Sequence, residues 1–275
     1  MRPTSFKIYP LFKYSVYLLL TVNIYLFFNE EWAATAHRFA EGLSVRDLIE
    51  AFPATIDTAA WVILLLMFEL ETWVLEDEQI TPTVQRSLHG LRALCMAFIV
   101  YAFYGYLSKL VFLLTAVPLE NLGDLCSLVG GDWSYAVDLN EYERITAANC
   151  ASLGEGALLH WPGINAAVDE AGYQAILRLG WADVINSAVW ILVVAVLEID
   201  VRLQERRRLD GLVLVLSTTA KYLFYSILFL AAVFWGFEGD FVEFWDAFLW
   251  LVAFAFIEMN VFEWRMESRE ALAPG

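Results

Sequence analysis

The stretch that decides the fold is Asp57-Thr-Ala-Ala-Trp61-Val-Ile-Leu-Leu-Leu-Met-Phe-Glu69-Leu-Glu71, an apolar run bounded by carboxylates. Its arrangement is a polar residue four before a Trp, a Glu eight after that Trp, and a second polar residue two further on. Two more copies follow, Asn186…Trp190…Glu198-Ile-Asp200 and Asp246…Trp250…Glu258-Met-Asn260. Identical spacing on three separate apolar runs indicates a duplicated structural unit.

Composition places the chain among polytopic membrane proteins. Of its 275 residues, 60% are hydrophobic and 16% are aromatic, and the mean hydropathy is +0.57. A soluble domain could not bury that much apolar surface. Six runs reach the length of about 20 mostly apolar residues that a helix needs to cross a membrane. They are 11–29, 55–75, 91–115, 183–201, 214–236 and 244–262.

The order of these runs predicts an all-α membrane protein, in which six transmembrane helices form three parallel two-helix hairpin repeats. The hairpins pair the first span with the second, the third with the fourth and the fifth with the sixth, around a pseudo-threefold axis. Residues 118–180 are predicted to form an extracytoplasmic loop subdomain that ends in an interfacial amphipathic helix at 164–179. The membrane domain then comprises residues 1–117 and 181–275.

The distribution of charge predicts orientation and excludes one class of partner. Lys and Arg cluster before the first span, between the second and third, and after the fourth and sixth, so both termini are predicted to be cytoplasmic. A bacterial inner membrane is the expected location. The formal net charge is −16, and no basic stripe is present to neutralise phosphates, which excludes nucleic acid as a partner.

The repeated polar residues are the candidate functional residues. If the second, fourth and sixth spans surround one axis, Glu69, Glu198 and Glu258 converge at one depth. Two carboxylates about 6 Å apart repel by roughly 3 kcal/mol at an effective dielectric constant near 20. The cluster would therefore need a cation, bound protons or basic side chains, and a ring of acidic side chains is a known means of selecting cations.

Two further sets of polar residues belong to the same pattern. A second ring of Asp57, Asn186 and Asp246 is expected about 18 Å nearer the outside. The second polar position, which is Glu71, Asp200 and Asn260, points roughly opposite to the three Glu. In a purely structural alternative, Lys13, Arg92 and Lys221 lie level with those Glu, and each hairpin contains one ion pair.

The sequence therefore predicts a cation channel, transporter or cation sensor, with an inorganic cation and the lipid bilayer as partners. The identity of any bound metal stays open. The alternative is a non-catalytic assembly or scaffold subunit, homo-oligomeric or in a membrane complex, that binds proteins through its aromatic helices and outer segment. A proton-coupled carrier is a third candidate. No enzyme and no cofactor are expected, because no nucleophile–base pair, nucleotide-binding motif or haem ligand pair is recognisable.

Cys126 and Cys150 provide a test of the orientation. On an oxidising outer face they are predicted to form a disulfide that closes a loop of about 25 residues. We expect thiol reagents added outside the cell to label both only after reduction, in a variant without Cys95. Labelling of either cysteine from the cytoplasmic side would contradict the predicted topology.

Overall fold

The computed structural model describes residues 5–39, 42–45, 47–71, 81–119, 124–154, 156–205 and 211–272, with side chains at all of these except 5–9, 201, 204, 205 and 257–272. The contacts divide the chain into two units, 1–23 with 192–275, and 24–191. Each unit is described by itself.

Long helices account for most of the described chain. The helices are α1 (Ser5–Arg38), α2 (Leu48–Ala51), α3 (Pro53–Glu69), α4 (Pro82–Leu113), α5 (Glu170–Glu205), α6 (Gly211–Glu238) and α7 (Phe241–Leu272), with a 3-10 turn at Leu125–Leu128. By length and composition, four segments in the described residues could cross a membrane: Pro10–Arg38, Pro82–Leu113, Glu170–Asp200 and Gly211–Glu238. These helices are compatible with a membrane protein.

The four segments correspond to the first, third, fourth and fifth predicted spans. The second predicted span coincides with α3, which has 17 residues, or about 25 Å of helix; its predicted end at 72–75 lies outside the described residues. The sixth coincides with α7, whose side chains are described only as far as Phe256. Six spans and three hairpin repeats therefore stay a prediction.

A five-stranded sheet in the unit of residues 24–191 corrects the all-α prediction. Its strands are β1 (Val117–Pro118), β2 (Ser134–Ala136), β3 (Tyr142–Arg144), β4 (Leu158–His160) and β5 (Ala166–Asp169). They lie in the order β1-β4-β5-β2-β3, and all neighbours are antiparallel except β2 and β5. Strands this short show too little alternation to be recognised from sequence. The predicted Cys126–Cys150 disulfide is present in the same segment.

Residues 164–179, predicted as an interfacial helix, are divided between β5, at Ala166–Asp169, and the first turns of α5. Ala166, Ala167 and Val168 are buried in β5, and α5 begins directly after it, at Glu170, and continues to Glu205. The N–H of Gly172 donates to Asp169 Oδ1 at 2.7 Å, which caps the first turn of α5. The apolar residues that seemed to mark a helix on the membrane therefore belong partly to the sheet.

Asp169 is the junction between the sheet and α5. Tyr135 of β2 hydrogen-bonds to its carboxylate, and burial together with that nearby charge raises the pKa of Tyr135 to about 12. A Cβ atom on Gly154 would lie 2.9 Å from Asp169 Oδ2, and one on Gly172 would lie 3.0 Å from Oδ1. Side chains at these two glycines would displace the carboxylate, so the junction requires glycine at both.

Replacement of Asp169 tests this junction. We expect Asp169→Ala to lower the free energy of unfolding by about 1 to 2 kcal/mol, because the helix cap and the Tyr135 hydrogen bond are both lost. Asp169→Asn is the matched control, since an amide oxygen still caps the helix. Thermal unfolding of the purified protein measures both. Equal losses in the two variants would show that capping is not the source of the stability.

Candidate functional site

The Asp–Trp spacing of the repeats corresponds to a hydrogen bond along one helix. In α3 the indole Nε1 of Trp61 donates to Asp57 Oδ1 at 3.1 Å, and in α7 the side chain of Trp250 hydrogen-bonds to Asp246. Residues four apart lie on the same side of a helix, so a short carboxylate can accept from an indole one turn later. In α5 the corresponding residue is Asn186, whose Oδ1 is buried with no partner among the described residues.

The first two repeated Trp are packing residues. Within the unit of residues 24–191, the rings of Trp61 and Trp190 lie 6.2 Å apart between centroids, at a tilt of 56°, and both are buried. This contact brings α3 and α5 together at the level of the repeat. It explains why a Trp stands at the same place in both copies without invoking a ligand.

In the other unit, α1 and α7 meet at Asn23 and Asp246. Asn23 Nδ2 donates to Asp246 Oδ1 at 2.8 Å, and the rings of Phe12 and Phe256 meet edge to face, with centroids 5.6 Å apart. Asn23 is only 1% exposed, and its Oδ1 has no hydrogen-bond partner among the described residues. The carboxylate of Asp246 thus receives hydrogen bonds from an amide and an indole, both of which are neutral.

Two acids at the second polar position form ion pairs with the helix that follows. Glu71 Oε2 lies 2.7 Å from Arg92 Nη2, near the start of α4. Asp200 Oδ2 lies 3.1 Å from Lys221 Nζ of α6, and it also accepts from Ser217 Oγ at 2.7 Å. In both cases the base follows the acid by 21 residues. The same kind of contact, at the same spacing in sequence, therefore occurs in two copies of the pattern.

These pairs differ from the predicted ones. Within the predicted hairpins, Arg92 would face Glu198 and Lys221 would face Glu258. Instead, Glu198 pairs at 2.8 Å with Arg202, one turn later on the same helix, and both side chains are exposed. Residues i and i+2 lie at nearly the same depth, so depth alone could not show which acid the base would contact.

The remaining predicted residues are placed only in part. Glu69 and Lys13 are buried, and Lys13 Nζ lies 5.2 Å from the centroid of the Tyr14 ring. The side chains of Glu258 and Asn260 lie outside the described residues. Convergence of Glu69, Glu198 and Glu258 on one axis therefore stays a prediction.

Glu31 is a buried acid that the sequence did not single out. Its carboxylate accepts from Ala54 N at 2.8 Å, from Thr55 N at 3.0 Å and from Thr55 Oγ1 at 2.6 Å. The first N–H groups of a helix have no acceptor within that helix, so Glu31 of α1 caps α3 from a neighbouring helix. The first predicted span ends at residue 29, whereas α1 continues to Arg38.

Replacement of Asp200 and Lys221 tests whether their ion pair stabilises the fold. The two side chains are 4% and 16% exposed. We expect Lys221→Met to lower the free energy of unfolding by about 3 kcal/mol or more, because a buried carboxylate loses its partner. Adding Asp200→Asn should recover much of the loss, since a neutral amide costs less to bury. Thermal or denaturant unfolding of the single and double variants gives the interaction free energy between Lys221 and Asp200.

Arg202→Met is the matched control. Its pair with Glu198 has side-chain exposures of 69% and 58%, so we expect a change of less than about 1 kcal/mol. Simple additivity of Lys221→Met and Asp200→Asn would contradict a stabilising pair.

Comparisons of the chain with family models, with curated proteins and with solved structures find no match. The chemistry proposed below therefore rests on the contacts within this chain.

Proposed function

We propose that this protein is a polytopic protein of a bacterial inner membrane, with both termini in the cytoplasm, that passes or senses a cation through carboxylates at membrane depth. The four long apolar helices support the membrane location. The observation that carries the proposed function is the environment of Asp246. Its described partners are the neutral side chains of Asn23 and Trp250.

The contrast with the other acids supports this proposal. A carboxylate in apolar surroundings costs several kcal/mol unless it is paired or well hydrogen-bonded. At Asp200 a basic side chain meets that cost, whereas the Glu71–Arg92 pair is partly exposed, with side-chain exposures of 27% and 43%. No basic partner of Asp246 is found in the part of the chain that the structure describes. An intramembrane acid without a counter-charge is typical of an ion or proton pathway.

The remaining repeated acids receive two roles under this proposal. Asp57 and Asn186 stand at the positions that correspond to Asp246, and Glu69, Glu198 and Glu258 would line the inner part of the pathway. The Glu71–Arg92 and Asp200–Lys221 pairs hold helix ends together and carry no ion. We propose no catalytic role for any residue.

The second candidate is the non-catalytic assembly subunit. The ion-paired state of Glu71, Asp200 and Glu198 favours it, because acids held in fixed pairs stabilise a scaffold and need no ion. In that case the aromatic helices and the sheet would contact partner proteins, and Asp246 would be a packing residue.

Replacement of Asp246 separates the two candidates. In liposomes containing the purified protein, we expect Asp246→Asn to reduce cation flux at least about tenfold, because removal of the charge removes the binding energy for the ion. Fluxes of Na⁺, K⁺ and H⁺ are each measured with an ion-sensitive dye. The matched control is Asp132→Asn, an exposed aspartate of the outer segment, which should leave every flux unchanged.

Two results would overturn the proposal. One is a folded wild-type protein that shows no cation flux and no shift of melting temperature with cations or pH. The other is an Asp246→Asn variant with the same flux as wild type. The first result would favour the assembly subunit.

A further inference from the structure

We propose that the cation at Asp246 is a proton, held in a hydrogen-bonded ring between the Asp246 carboxyl group and the Asn23 amide. This inference rests on the proposed function and names its ion. It comes from the hydrogen bonds that these two side chains make and from the one that Asn23 lacks.

A protonated carboxyl group and a primary amide can pair through two hydrogen bonds that close a ring. In one, the amide N–H donates to the carbonyl oxygen of the acid. In the other, the acid O–H donates to the amide oxygen. The first is present, from Asn23 Nδ2 to Asp246 Oδ1 at 2.8 Å. The second would use Asn23 Oδ1, the atom that is buried and has no partner in the described chain.

A buried hydrogen-bond acceptor without a donor is energetically unfavourable. A proton on Asp246 would supply the missing donor to Asn23 Oδ1. In this step a hydronium ion gives up one proton: its O–H bond breaks, an O–H bond forms at the carboxylate, a water molecule is left, and Asp246 becomes neutral. The N–H of Asn23 remains a donor in both states, so the helix contact survives loading and release. Asn23 is thus a positioning residue that can bond to either form of the acid.

A metal ion fits the same place poorly. Ca²⁺ takes about six to eight oxygen ligands and Mg²⁺ takes six in near-octahedral geometry, whereas Asp246 and Asn23 supply three side-chain oxygens between them. Backbone carbonyls of the surrounding helices are engaged in helical hydrogen bonds. Among the residues described, no group of three or more His, Cys, Asp or Glu side chains could hold a metal ion. A proton needs only one oxygen to which it is covalently bound and a second oxygen that accepts the hydrogen bond.

Among the side chains that the structure describes on α1, α6 and α7, no basic group is seen to contact Asp246. On α7 the nearest ionisable group is Glu243, one turn outward, and on α1 the nearest are Tyr17 and Tyr25. On α6, which packs against α7, Lys221 is paired with Asp200, and Glu238 ends the helix.

Infrared difference spectra of the full-length protein in liposomes test the inference. Between about pH 5 and pH 9, we expect the carbonyl stretch of a protonated carboxyl group to appear as pH falls, and this band should be absent in Asp246→Asn. In Asn23→Val the band should persist but move in frequency, because the acid O–H loses its acceptor. Asp132→Asn is the control and should keep the wild-type band unchanged.

The outcomes separate this inference from the proposed function. Loss of both the band and the proton flux in Asp246→Asn supports both. Flux of Na⁺ or K⁺ with no band assignable to Asp246 overturns the inference that the cation is a proton, but it leaves cation passage intact. A band that Na⁺ or K⁺ abolishes has the same consequence. A band at Asp246 with no flux of any cation supports the proton site and overturns the passage of a cation. If Asp246→Asn does not fold, the expected frequency shift in Asn23→Val decides: no shift overturns the ring.

Discussion

A charge in apolar surroundings has to be neutralised or surrounded by polar groups, and this constraint governs where the chain places its acids. Glu31 is held by the N–H groups at the start of α3. Glu71 is held by Arg92, and Asp200 by Lys221 and Ser217. Each contact joins two helices. The requirement to satisfy a buried charge therefore also decides which helix surfaces meet, something that apolar contacts alone specify weakly.

The Glu71–Arg92 and Asp200–Lys221 ion pairs bear on the predicted duplication. The acid and the base are 21 residues apart in both copies, and each pair connects the end of one helix with the following helix. A repeat in sequence can arise from apolar periodicity alone. A repeated contact between opposite charges cannot, because it requires both partners at the same spacing and on facing surfaces. The pairs therefore support a duplicated unit more strongly than the Trp spacing does.

Sequence predicted the long helices well and the remaining structure poorly, for identifiable reasons. Apolar runs identify helices such as α1 and α6, but they do not show how far a helix extends into polar sequence. For example, α4 begins at Pro82, with the Thr81 hydroxyl as its cap, well before the apolar run at 91–115. The sheet depends on pairing between distant residues, such as Ser134 with Ala166, and its strands have two to four residues. No local pattern reports such pairing.

The candidate site shows the same division between local and distant information. The Asp57–Trp61 hydrogen bond lies within one helical turn, so spacing alone was enough to single out both residues. Arg92 and Lys221 were singled out as basic residues level with the repeated Glu, and the described contacts join them to Glu71 and Asp200, because depth does not specify the neighbouring helix. Asn23 was missed as a site residue, since one amide in an apolar run has no repeated pattern.

The acids of the repeated pattern differ most in the partners that hold them. Asp200 lies in an ion pair with Lys221, at 3.1 Å, and accepts a hydrogen bond from Ser217, so a cation is among its described partners. Asp246 is bonded by neutral donors, and Asn23 offers a donor to the anion and an idle acceptor to the acid. Its charge can therefore change while α1 and α7 stay in contact. Under the proposed function, the residue with neutral partners exchanges an ion, and the residues with charged partners hold the helices in place.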